Sequence, residues 1–118
     1  MNEPIIDRTT LENMVATTDA EFVGELIEAF TTDSPQLIAQ LRQALADNNA
    51  EVFRRAAHSL KSNGASLGAM ILSAHARGLE MLGKAGNLTG AGTGVDQLAA
   101  EYEQAALALK AWHDNHGA

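Results

Sequence analysis

Hydrophobic residues recur along the chain at intervals of three and four, the spacing that gathers side chains on one face of an α-helix. Leu11, Met14 and Val15 share such a face behind Asp7, a residue suited to capping, and predict a short first helix. Asp19 is placed to cap the next one, whose stripe is Phe22, Val23, Leu26, Ile27 and Phe30 and resumes with Leu37, Ile38, Leu41 and Leu45. Between the two halves stands "TTDSPQ", in which Ser34 suits a cap and Pro35 a first turn, so the pattern predicts either a new helix there or one long helix with a kink. "ADNN" turns the chain into a helix carrying "AAHSLKSNGASLGA", residues 56–69, which ends near Leu67 and Gly68. Met70, Ile71, Leu72, Leu79 and Leu82 predict the following helix.

"GKAGNLTGAGTGVD" holds five glycines from Gly83 to Gly94 and predicts a flexible loop. It is a poor phosphate-cradling loop, with no lysine after its last glycine and no strand pattern before it. A last helix has Val95, Leu98, Tyr102, Leu107, Leu109 and Trp112 as its apolar positions. The fold class read from this pattern is all-α: an antiparallel four-helix bundle with an additional short N-terminal helix, forming one domain over residues 1–118.

Composition agrees with helices, since Ala and Leu dominate, aromatics are few and the only prolines are Pro4 and Pro35. The chain has no cysteine, which removes disulfides, Cys-based zinc sites and thiol catalysis and accords with a reducing cytoplasm. It has no apolar run of the roughly 20 residues needed for a membrane helix. A formal charge of −7 argues against nucleic acid as a partner. The charge is nonetheless uneven. Arg54, Arg55, Lys61, Arg77 and Lys84, five of the eight basic residues, lie between Phe53 and Gly86 with Glu80 as the single acid.

At about 100° per residue, Phe53, Ala56, Ala57, Leu60, Gly64 and Leu67 form the buried stripe of the third helix. His58 falls at about 140° from Phe53, with Arg54 near 100° and Lys61 near 80°, so the histidine faces solvent with a cation one turn away on either side. Two nearby cations favour neutral imidazole by like-charge repulsion, and small residues at Ser62, Gly64 and Ala65 let another protein approach the ring. The same cations can offset a negative group attached to His58. A nucleophilic histidine that accepts a phosphoryl group accounts for all three features; a surface histidine without a role is the alternative.

Ala57, His58, Leu60, Lys61, Ser62, Leu67 and Gly68, followed by Leu72, Leu79 and Glu80, resemble the signature of histidine-containing phosphotransfer (HPt) domains. The stretch "ELIEAFTTDSPQLIAQLRQAL" is similar to that family's long second helix. The resemblance implies a phosphoryl carrier of a multistep two-component phosphorelay. His58 would take the group on Nε2 from a receiver-domain aspartate and pass it to another receiver. Lys61 would hold a phosphoryl oxygen, and Glu80 matches a position that orients the imidazole. Ser62 stands where many members have glycine. Arg54, Ser62, Ala65, Gly68 and Lys84 are the expected partner-binding residues, with response-regulator receivers and a hybrid sensor histidine kinase as partners.

No ATP-binding kinase domain is present, so the chain is expected to be a transfer intermediate and not an enzyme. Mg2+ would come from the receiver, since the His58 face has no carboxylate cluster to bind it. No cofactor, resident metal or direct membrane contact is expected, and the implied state is a cytoplasmic monomer. Two rivals are weaker. A diiron-type bundle needs Glu-x-x-His pairs, whereas His75 follows Leu72 at that spacing; His113 and His116 at the tail suit adventitious metal only. A phosphate-independent interaction module would be expected to lose His58 or Lys61, and both are present.

Overall fold

The computed structural model describes residues 5–116, apart from the side chain of His116. Among the described residues five helices follow one another: α1 (Arg8–Thr17), α2 (Ala20–Asp47), α3 (Ala50–Ser66), α4 (Met70–Ala85) and α5 (Ala91–His116). No strand occurs among the described residues. Each of the first three helices begins at a side-chain cap: Asp7 accepts from the Thr9 amide and Asp19 from Phe22, as expected of them, and Asn49 accepts from Val52. Asn48 closes α2 in the left-handed region at φ 52°, and the chain re-enters a helix two residues later.

α2 packs on α3 and α5, and α4 packs on the same two helices, so the four long helices enclose a common core; α1 lies against α2. Phe53, Leu11, Leu41, Leu60, Leu72, Leu98 and Leu109 are the largest fully buried aliphatic and aromatic members of the core, Leu11 being supplied by α1. Side-chain contacts between α2 and α5 link Ala20 with His113, Thr31 with Tyr102 and Arg42 with Asp96, so contact positions rise along one helix as they fall along the other.

α2 is one continuous helix through Pro35, which settles the choice left open by "TTDSPQ". Ser34 is therefore no cap; it is fully buried inside the helix. Proline lacks the amide that would bond the carbonyl four residues earlier, at Thr31. That carbonyl accepts instead from the Tyr102 hydroxyl of α5 at 3.2 Å, while the Tyr102 ring sits tilted against Phe30 at 5.4 Å.

The expected glycine loop is much shorter than the sequence suggests. α4 runs to Ala85 and α5 begins at Ala91, so Gly83, Gly92 and Gly94 are helical. Two of them are helical because helices meet there: a Cβ on Gly83 would lie 2.9 Å from the Arg54 backbone, and one on Gly94 2.9 Å from Leu79. Gly86 and Gly90 form the true turn, at φ 70° and 75°. Phe22 and Leu107, counted among the apolar stripes, are exposed; the buried stripe of α5 is Val95, Leu98, Tyr102, Ala105, Leu109 and Trp112. No helix is long and apolar enough to cross a membrane among the described residues.

Candidate functional site

Close contacts between α3 and α4 build the site. The Gly83 contact with Arg54 is one; another is made by the buried Ser73 hydroxyl, which donates to the Lys61 carbonyl at 2.8 Å. Gly64 serves the same packing, since a Cβ there would lie 3.3 Å from the Ala69 carbonyl oxygen. Its small size is thus spent on the approach of α4 and not, as the sequence suggested, on leaving room beside His58.

The result places Glu80 of α4 between His58 and Lys61 of α3. His58 Nδ1 lies 2.7 Å from Glu80 Oε2, and Lys61 Nζ donates to Glu80 Oε1 at 2.8 Å. The Glu80 side chain is only 9% exposed whereas the imidazole is 53% exposed. A buried carboxylate is retained in its charged form only when paired and hydrogen-bonded. Here the Lys61 hydrogen bond, helped by that of His58, holds the Glu80 carboxyl below the usual carboxylate range against the opposing effect of burial.

An ionised carboxylate only accepts hydrogen bonds, so the His58 nitrogen facing it must be the donor. Neutral imidazole has one N–H; with Nδ1 carrying it, the lone pair stands on Nε2, away from Glu80. The arrangement therefore fixes ring orientation and tautomer together and presents a nucleophilic nitrogen at an exposed position.

The sequence picture of two flanking cations changes accordingly. Lys61 reaches Glu80, and Arg54 forms a two-bond pair with Glu51, at 2.6 and 3.2 Å. The charge facing the ring is a carboxylate, so what the site supplies is orientation of the ring by Glu80 and not repulsion by two flanking cations. Ser62 and Ala65 are exposed on α3, Arg54 is half-buried two turns or more before them, and Lys84 is exposed in the last turn of α4. Gly68 lies apart from this group: it is buried at φ 77°, its carbonyl accepts from the Asp7 amide at 2.8 Å, and a Cβ there would meet Asp7 at 2.9 Å.

Beside His58 an open groove runs between α2 and α3, with Asp33, Leu37 and Gln40 on one wall and Ser59 and Ser62 on the other. Asp33 and Gln40 were not singled out from the sequence, and Leu37 was read only as part of the apolar stripe of α2; the pairing of α2 with α3 brings them to His58. Among the described residues, no group of three or more His, Asp or Glu side chains is arranged to hold a metal ion.

The Hpt domain family matches residues 25–108, a span that includes His58, Lys61 and Glu80. The fold is similar to the crystal structure of histidine-containing phosphotransfer protein B (HptB) from Pseudomonas aeruginosa PAO1, with a TM-score of 0.88 and 24% sequence identity over 98% of this chain and 99% of that one. No curated protein sequence matches the chain. The family match takes in well over half of the sequence and all of the helix pair that builds the site, and on that ground the chain belongs to the Hpt domain family, the phosphotransfer carriers of two-component signalling.

Proposed function

We propose that the chain carries a phosphoryl group on His58 Nε2, taking it from the aspartyl phosphate of one receiver domain and handing it to the aspartate of another. The observation that carries this reading is the pairing of His58 Nδ1 with buried Glu80, which leaves the nucleophilic nitrogen exposed. In the forward step a bond forms between Nε2 and phosphorus while the bond from phosphorus to the aspartyl oxygen breaks, and the receiver regains its carboxylate. Attack puts positive charge on the imidazole. Glu80 stabilises that charge through its hydrogen bond with Nδ1, so the ring need not hold it alone.

Lys61 is already held on this face through Glu80, and its ammonium can turn to a phosphoryl oxygen and offset the incoming charge. Magnesium, bound by the partner's acidic pocket, would supply charge neutralisation on the other side of the phosphoryl group. Ser62 borders the groove beside His58, where Leu37 gives the partner an apolar contact beside a polar rim, and Arg54, Ala65 and Lys84 are the further residues of α3 and α4 taken to meet the partner. The domain acts as a monomer, and its four long helices form an antiparallel bundle; short connections and the opposed order of contacts between α2 and α5 support that arrangement.

The test is transfer from a receiver phosphorylated on its aspartate, with magnesium, to wild type and to His58→Gln. Acid-labile, base-stable label in wild type alone is expected. A folded protein that binds receivers but takes no label would point to a phosphate-independent interaction module.

A further inference from the structure

A second histidine repeats the local geometry of the first on a different helix pair. His75 of α4 bonds through Nδ1 to a carboxylate oxygen of Glu101 on α5. The imidazole is 42% exposed and Glu101 only 16% exposed, the same pairing of an open ring with a sheltered carboxylate. If Glu101 is ionised, the acceptor argument applied to His58 gives the same result: Nδ1 donates, and Nε2 carries the lone pair. Gly78, one turn along α4, leaves the surface open, since a Cβ there would have no atom within 4 Å. The remaining described imidazole differs: His113 bonds through Nε2 to the Ala20 carbonyl, which ties up the outer nitrogen.

We infer that His75 is a second phosphoacceptor, open to small phosphoryl donors of the phosphoramidate class. In the step, the His75 Nε2 lone pair forms a bond to phosphorus, the phosphorus–nitrogen bond of the donor breaks and ammonia leaves, while Glu101 takes up the Nδ1 proton. What the site lacks is a counterpart to Lys61: Glu101 makes no ion pair with Lys or Arg among the described residues. The phosphoryl group on His75 therefore has no cation beside it, and loading is slower than at His58 by about tenfold or more, the effect of one missing charge-assisted contact. This inference stands independently of transfer between receivers, because it concerns another helix pair and another donor.

The experiment treats wild type, His58→Gln, His58→Gln/His75→Gln and His58→Gln/Glu101→Gln with potassium phosphoramidate, after checking that each is helical. Phosphoryl adducts are counted by intact mass and placed by fragmentation at neutral pH. The expected result is one adduct on His58→Gln, localised to His75, absent from His58→Gln/His75→Gln and several-fold slower with Glu101→Gln. The same chain unfolded in urea should load His75 more slowly than the folded one. No adduct on His58→Gln after an exposure about a hundredfold longer than the one that loads His58 in wild type would overturn the inference. So would equal rates in folded and unfolded chain, which would reduce His75 to an ordinary surface imidazole.

Discussion

The Tyr102 hydroxyl donates to the carbonyl of Thr31, the acceptor that Pro35 deprives of its helical partner. A proline inside a helix ordinarily costs about 3 kcal/mol. Here a residue from α5 satisfies the freed group and ties that helix to the middle of α2.

Removing the hydroxyl with Tyr102→Phe should therefore lower stability by about 0.5–1.5 kcal/mol, the net contribution of a hydrogen bond to a part-buried acceptor. Pro35→Ala restores an amide that can bond Thr31. In that background the cost of Tyr102→Phe should fall, and urea unfolding of the four variants in a double-mutant cycle reads the coupling.

Two glycines of α4 should respond to alanine in opposite directions. Gly78 has open space where a Cβ would go, so Gly78→Ala should stabilise by up to about 1 kcal/mol through helix propensity. At Gly83 the new Cβ would lie 2.9 Å from the Arg54 backbone, and Gly83→Ala should destabilise by about 1–3 kcal/mol as α3 and α4 are forced apart. Because Glu80 rides on the same helix, Gly83→Ala should also slow phosphoryl loading of His58. Thermal melts and loading rates measured on both variants check the contrast.

That contrast also shows where the sequence was legible. Asp7 and Asp19 announce their helices because a cap acts on residues two or three positions away. The exposed face of α3 follows from its period, and His58, Lys61 and Glu80 were named as a set through family resemblance. Gly83 and Gly94 were misread because a glycine that admits a neighbouring helix looks the same in one sequence as a glycine that bends a loop. Pro35 stayed ambiguous for a related reason: the group that makes a continuous helix tolerable stands 71 residues beyond Thr31. Leu107 and Phe22 obeyed the local spacing, and only packing reveals that no helix covers them. Nothing local joins His75 to Glu101; that pair exists only once α4 lies on α5.

The acid limb of stability should depend on Glu80. Its folded pKa is depressed, chiefly by the Lys61 hydrogen bond, so its contribution is present above the unfolded value near 4.5 and is lost as pH falls through the lower folded value. Urea midpoints measured downward from neutral pH should decline across that window in wild type. The decline should be shallower in Glu80→Gln, which has no carboxylate to protonate.

Lys61→Ala should leave the fold intact and slow phosphoryl transfer to His58 by about a hundredfold, the scale of removing one stabilising group from a developing charge. Glu80 would then lose its first partner, so its carboxyl should titrate higher than in wild type. Single-turnover transfer from a labelled receiver, with the Glu80 carboxyl followed by carbon NMR, separates the two effects.

The most direct measurement of the central claim is the position of phosphorus on the His58 ring. Protein labelled with 15N in histidine and loaded from a phosphorylated receiver reports, by phosphorus–nitrogen and proton–nitrogen couplings, which nitrogen carries the group. The predicted result is phosphorus on Nε2 of His58, with Nδ1 still held toward Glu80. Phosphorus on Nδ1, or on another residue while His58 stays free, would contradict the account.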